Sequence, residues 1–214
     1  MITIHHLSTS RSERIVWLAE ELAIPYRMAW HQREANGAAP PALRELHALG
    51  KAPVIEDGGL VLAESGAIVE YIVQRHGAGR LAVAPGAAEY PGYLYWMHFA
   101  EGSLMTLMLI ALVLSRVPEA RDGPVQKRIS TRLADMLRFV DERMAGHAWF
   151  GGGSFTAADV MMSFPLTTMN RYLDVDLSGH ANIAGWLERI AARPAYAKAM
   201  AIAGPDAKRP EAAA

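Results

Sequence analysis

The spacing of apolar residues changes character near residue 80. Before that point, short apolar runs alternate with helical patterns. Ile2 and Ile4 share one face of a strand, Met1–His6. From Arg11 to Ala23, the residues Ile15, Leu18, Ala19, Leu22 and Ala23 line one side of a helix, which Ile24-Pro25 stops. Tyr26–Trp30 reads as a second strand, and Pro41–Leu49 as a short helix closed by Gly50. Two further apolar runs, Val54-Ile55 behind Pro53 and Leu60–Leu62, flank Asp57-Gly58-Gly59, which is a hairpin signal. Glu64-Ser65 then opens a helix with Ile68, Val69, Ile72 and Val73 on one side.

After residue 80 the patterns are helical throughout. Gly77–Gly92, rich in glycine and proline, reads as a connection. Tyr93–Arg116 predicts one long helix, ended before Pro118. Pro124–Met144 predicts a second, with Val125, Ile129, Leu133, Met136, Leu137, Val140 and Met144 at spacings of three and four. Gly151-Gly152-Gly153 breaks the chain. Phe155–Arg171, Ile183–Ala192 and Pro194–Ala203 complete the expected bundle. The boundaries predicted are an α/β domain over 1–78, a linker over 79–88, an all-α domain over 89–203 and a flexible tail over 204–214. The order β-α-β-α-β-β-α of the first part resembles a thioredoxin-like fold, with a parallel pair joined by a crossover and a closing hairpin in one mixed sheet.

Composition narrows the function. With 51% apolar residues the 214-residue chain can bury a core, which excludes a disordered chain. A net charge of −1 without a basic stripe argues against nucleic acid as partner. The longest unbroken apolar block, Leu107–Leu114, is far short of the roughly 18 residues of a membrane span. The start, MITIHHLSTSR, lacks a signal-peptide core. No membrane partner and a cytoplasmic location are expected. Cysteine is absent, so disulfides, thiolate metal sites and a cysteine nucleophile are excluded. His5-His6, His31, His47, His76 and His98 show no ligand spacing, so no metal is expected; they read as polar surface or satisfied core histidines.

Polar residues cluster in three places. Ser8-Thr9-Ser10-Arg11-Ser12-Glu13-Arg14 joins the first strand to the first helix, and Ser10-x-x-Glu13 has the spacing of a capping box. Thr156-x-x-Asp159 has the same spacing before the third helix of the bundle, and its role is read as structural. The third cluster is Lys51-Ala52-Pro53 with Glu64-Ser65. There a strand edge offers backbone pairing to an extended peptide, and a helix start offers free N–H groups to an anion.

The Pro53-Val54-Ile55 run, the Glu64-Ser65 pair and the serines after the first strand resemble the cytosolic glutathione S-transferases over roughly residues 1–203. The resemblance implies a thioredoxin-like α/β domain followed by an all-α helical domain, and glutathione as co-substrate. It implies a cis Pro53, backbone pairing of Ala52 with the cysteinyl part of glutathione, Glu64 on the γ-glutamyl ammonium, Ser65 on the γ-glutamyl carboxylate, and Lys51 toward the glycyl carboxylate. Family members activate the glutathione thiol with a tyrosine, serine or cysteine near the end of the first strand. No tyrosine precedes Tyr26 and cysteine is absent, so the serine type, theta-like or a related bacterial class, is the one left. Ser10 and Arg14 match its S-x-x-x-R spacing, with Ser8, Thr9 and Ser12 as rivals. A hydroxyl beside a helix N-terminus lowers a thiol pKa from about 8.5 toward neutrality. A capping serine still has its own proton to donate, so the two roles are compatible.

The activity implied is transfer of glutathione to a small, apolar electrophile in a homodimeric enzyme. The second-substrate pocket is expected from Trp96, Met97, Glu101, Met105 and Met108 on the long apolar helix, a stretch that core packing accounts for equally. Two alternatives accompany this reading. One is another glutathione-dependent reaction on the same fold, such as isomerisation, dehalogenation or peroxide reduction. The other is a non-catalytic interaction module, which would have no need of the Glu64-Ser65 pair.

Overall fold

Strand β1 (Ile2–Leu7) sits inside a four-stranded sheet with β2 (Tyr26–His31), β3 (Val54–Asp57) and β4 (Leu60–Ala63), in the order β2-β1-β3-β4. The computed structural model of the chain describes residues 1–209. β1 runs parallel to β2, with Ile4 opposite Met28, and antiparallel to β3, with His5 opposite Val54. The parallel pair is joined through α1 (Glu13–Glu21), as a crossover connection requires. The β3–β4 hairpin turns on Gly58 (φ 56°) and Gly59 (φ 90°), successive positive values that a two-residue type I′ turn demands and glycine supplies without steric cost. Helices α2 (Pro41–Leu46) and α3 (Ser65–Arg75) complete the expected order. Ile2, Ile4, Ile15, Leu18, Val54, Ile55, Ile68 and Ile72 are sealed from solvent, so the predicted apolar faces of β1, α1, β3 and α3 form this core.

The chain leaves this unit at residue 82 and returns to it at 191. The returning part is the last helix, α10 (Pro194–Ala203), which packs on α1. The expectation that it completes the helical bundle is therefore corrected. Small buried residues, Ala199 and Ala203, allow close approach, and the Trp17 and Tyr196 rings meet edge-on at 4.8 Å. The Arg193 guanidinium donates two hydrogen bonds to the Glu21 carboxylate, at 2.6 and 2.7 Å. None of these partners is close in sequence, so helical periodicity alone could not assign α10 to a unit. Of the tail predicted from Gly204, residues 204–209 start with a turn in which Ala207 N–H donates to the Gly204 carbonyl. Residues 210–214 lie outside the described residues.

The other unit, residues 83–190, is helical. Its first helix is continuous over Tyr90–Ser115, built as α4 (Tyr90–Phe99), a π-helical segment Ala100–Met105 and α5 (Thr106–Ser115). It is long and apolar enough to cross a membrane, which the count of unbroken apolar residues did not bring out. One side of it is core, carried by Trp96, Met97, Ala100, Leu104 and Met108. Helix α6 (Pro124–Met144) buries Leu133, Leu137, Val140 and Met144, whereas Val125, in the predicted stripe, is exposed. The predicted helix 155–171 is three pieces: α7 (Ala157–Phe164), a π-helical segment Pro165–Met169 and α8 (Asn170–Leu173). Pro165 has no N–H to continue the α-helical ladder, and the π register begins at that residue. Helix α9 (Ala181–Ala191) closes the unit with Ile183, Trp186 and Ile190 buried.

Candidate functional site

Strand register gathers the predicted site at one end of the sheet. His5 lies opposite Val54, and Val54 opposite Ala63. The end of β1, the start of β3 and the end of β4 are therefore level. The loop Ser8–Ser12, the Ala52-Pro53 bond and the Glu64-Ser65 pair emerge there from three separate parts of the chain.

The first loop is not a capping box. Helix α1 is capped at Ser12, and that cap makes no side-chain hydrogen bond to the helix. Ser10 Oγ instead lies 2.8 Å from Ser12 Oγ and accepts from the Ser12 N–H at 3.3 Å. Ser12 is fully buried; its hydroxyl oxygen accepts from the Leu7 N–H at 3.1 Å and lies 2.9 Å from His6 Nδ1. Ser10 keeps 7% of its surface open, and Ser8 and Thr9 are half-buried. Arg33 staples the loop, donating from Nε to the Ser8 carbonyl and from Nη2 to the Thr9 carbonyl, each at 3.0 Å. Thr9 thereby holds φ 52°, a conformation a β-branched residue rarely adopts.

At the second and third segments, Ala52-Pro53 is cis, and Pro53 is buried while Lys51 is exposed. Glu64 is exposed and stands at φ 73°, ψ 120°, outside the regions ordinarily open to a side-chain-bearing residue. Such a backbone costs on the order of 1–3 kcal/mol and persists where the surroundings hold it. Ser65, 4% exposed, is the first residue of α3, whose opening N–H groups face this end of the sheet.

Buried titratable groups flank the first loop. His6 is sealed from solvent, its ring 4.5 Å from that of Trp30. Burial, with a smaller contribution from His31, pushes its pKa down to about 4, so it is neutral. His5 Nδ1 lies 3.0 Å from His31 Nε2, and burial also lowers His31. The expectation of surface or satisfied core histidines thus corresponds here to two buried rings, and His6 Nε2 has no hydrogen-bond partner. Among the described residues, no group of three or more His, Asp or Glu side chains is placed to hold a metal ion.

In the helical unit, Trp96, Met97, Met105 and Met108 are buried and Glu101 is half-buried. Trp96 packs among Phe99, Phe150 and Tyr95, with ring centroids 4.8–5.1 Å apart. An open groove of about 530 Å³ is lined by others, including Tyr95, Phe99, Ile110, Met136 and Phe139. Thr156 and Asp159 form the full capping box, with both reciprocal bonds made. Asp159 is sealed from solvent and accepts from the Phe150 N–H, the Thr156 N–H and Trp186 Nε1–H, each at 2.9 Å. Burial outweighs those donors and pushes its pKa up to about 6.

Sequence reasoning missed His6 and Arg33. His6 lies within the predicted first strand, and nothing local marks it as the partner of Ser12. Arg33 reaches residues 24 and 25 positions away. Only the parallel β1–β2 pairing brings it back to the loop.

Residues 1–74 match the family model "Glutathione S-transferase, N-terminal domain" and residues 104–194 match "Glutathione S-transferase, C-terminal domain". Glutathione S-transferase 3 of Schizosaccharomyces pombe is 36% identical over 91% of this chain and 85% of its own. A glutathione S-transferase of Actinobacillus pleuropneumoniae superimposes with a TM-score of 0.87 at 35% identity, over 96% of this chain and 95% of that one. A theta class glutathione S-transferase of Xanthomonas axonopodis pv. citri, solved with glutathione bound, gives 0.74 at 25% identity, over 92% and 96%. Family models over most of the chain, and relatives above 30% identity across nearly all of it, settle the matter: the chain belongs to the glutathione S-transferase family, with the family's transferase activity.

Proposed function

We propose that the chain binds glutathione at the end of the sheet and that the Ser10 O–H donates a hydrogen bond to the glutathione thiolate. The observation that carries this reading is the register, which puts the hydroxyl-rich loop, the Ala52-Pro53 edge and the α3 N-terminus level with one another. Ala52 pairs its backbone with the cysteinyl part, Glu64 meets the γ-glutamyl ammonium, Ser65 the γ-glutamyl carboxylate and Lys51 the glycyl carboxylate. Ser10 is favoured over Ser12 because Ser12 is fully buried and engaged by β1, while Ser10 retains an open edge. The thiol proton passes to solvent. The sulfur lone pair then forms the new bond to an electrophilic carbon, and the displaced pair leaves with the departing group or takes a proton from water. The acceptor is a small apolar electrophile, in keeping with the methionine-rich α4–α5 stretch. The chemistry uses no metal. It takes place in the cytoplasm, where glutathione sets the thiol poise.

The test is the pH dependence of thiolate absorbance in the glutathione complex. Ser10→Ala is expected to raise the apparent thiol pKa by about 1 to 2 units while largely sparing glutathione affinity. An unchanged profile moves the role to Ser8, Thr9 or Ser12. Absence of retention on immobilised glutathione would sink the whole reading.

The proposed assembly is a homodimer. Leu109, Ile110, Val113, Val117 and Val125 leave the α5–α6 region apolar and exposed in a single chain, more than scattered surface residues require. Sedimentation is expected to give twice the chain mass; a monomer at micromolar concentration would refute it.

A further inference from the structure

The polar network behind Ser10 can be counted proton by proton. Its members are the neutral His6 ring, the Ser12 hydroxyl and the Ser10 hydroxyl, linked at 2.9 and 2.8 Å. Two backbone donors enter it, with Leu7 N–H on Ser12 Oγ and Ser12 N–H on Ser10 Oγ. Each hydroxyl has one proton and two acceptor sites. The neutral imidazole has one N–H, on either Nδ1 or Nε2, and the rest of the network follows from which.

If Nε2 carries the proton, Nδ1 must accept from Ser12 O–H. Ser12 Oγ, already taking the Leu7 N–H, then has one acceptor site left for Ser10 at 2.8 Å. The Ser10 proton fills it and is turned inward. If Nδ1 carries the proton, it donates to Ser12 Oγ, which also accepts from Leu7 N–H. Both acceptor sites of Ser12 are then filled, and its proton goes either to Ser10 Oγ at 2.8 Å or to the Leu7 carbonyl at 3.4 Å. The shorter contact is the better bond. Ser10 Oγ then accepts from both Ser12 O–H and Ser12 N–H. With both its acceptor sites occupied, its own proton has nowhere to go but out.

His6 Nε2 is buried without a partner. An orphaned N–H in the interior is rarer than an unfilled acceptor, which favours the proton on Nδ1. The titratable neighbour on the β2 side is His31, and Trp30 covers the ring face. We infer that His6 is a positioning residue for thiol activation: its Nδ1–H tautomer, relayed through Ser12, turns the Ser10 proton away from the core and toward the bound sulfur. The inference rests on the reading of Ser10 as the thiolate donor. It gives the buried, uncharged histidine a task that packing alone would not require.

The experiment is a long-range ¹⁵N–¹H correlation on histidine-labelled protein with glutathione bound, read together with thiolate titrations of three variants. His6 is expected to show a protonated Nδ1 and a bare Nε2. In the titrations, His6→Phe is expected to lower the thiolate fraction at neutral pH about tenfold, since the Ser12 proton is no longer directed. His6→Asn, which can place an amide N–H where Nδ1–H stands, is expected to restore it. A protonated Nε2 overturns the inference whatever the variants do, including where His6→Phe fails to fold. If Ser10→Ala raises the thiol pKa and His6→Phe does not, the inference falls and the Ser10 reading stands. If Ser10→Ala changes nothing, the Ser10 reading falls and takes the inference with it.

Discussion

Ser10-x-x-Glu13 and Thr156-x-x-Asp159 carry the same signature and meet different fates. Thr156 caps α7 with both reciprocal bonds, and Asp159 collects three N–H donors in a sealed pocket. Ser10 caps nothing: α1 starts at Glu13 with Ser12 in the N-cap position, and the Ser10 hydroxyl is drawn into a chain that ends on His6. The first network has its proton direction set by an imidazole that can carry its hydrogen on either nitrogen. The second has an acceptor-only carboxylate at its centre, so every donor points one way. A motif that saturates itself stabilises a helix start, whereas a motif with a proton to spare can act on a ligand.

The largest effect is expected on the saturated side. Asp159→Ala leaves three buried donors without acceptors and is expected to cost about 4 kcal/mol, a fall of roughly 10 °C in unfolding temperature by calorimetry. A shift under about 3 °C would mean the pocket repacks or admits water, and the contrast with Ser10 would lose its force. The pH dependence sharpens the same point. Asp159 has its pKa raised from 3.8 to about 6 in the folded protein. The stability it confers is fully present below 3.8 and is lost as pH rises through 6. The unfolding free energy of the wild type, relative to Asp159→Asn, is therefore expected to drop by on the order of 2–3 kcal/mol between pH 4 and pH 7. His6 pulls the other way. Its pKa is depressed from 6.5 to about 4, so its contribution is full above 6.5 and is lost as pH falls toward 4. A flat difference between wild type and Asp159→Asn would remove the carboxylate from this account.

The smallest effect separates the two hydroxyls. Thr156→Ala is expected to cost about 1 kcal/mol as a lost cap, with glutathione binding untouched. Ser10→Ala takes the acceptor from the buried Ser12 N–H and is expected to cost a similar amount, about 1 kcal/mol, while also shifting the thiol titration. An unchanged thiol titration in both variants would place both hydroxyls in the same structural role.

Most of the fold was legible because its elements are amphipathic. The apolar faces of β1, α1, β3 and α3 are the ones that meet in the core, and Asp57-Gly58-Gly59 makes the turn its residues favour. The helices of the second unit were legible to within a few residues, except where Pro165 forced a change of register. The candidate site was legible as three polar segments, which the structure brings to one end of the sheet. Their level placement was not, because it follows from strand pairing between residues about 50 positions apart. Helix α10 was visible as a helix and assigned to the wrong neighbour, since amphipathicity shows that a face is buried without saying against what.

The sequence by itself therefore determined the elements, the family and the residue types at the site, all of which depend on local spacing and side-chain chemistry. Tertiary structure alone decided which hydroxyl caps a helix and which joins the chain to His6, that His6 is buried and neutral, and that Arg33 holds the loop. Those outcomes depend on which donors and acceptors are brought within 3 Å of one another, and that is set by the packing of strands and helices far apart in the chain.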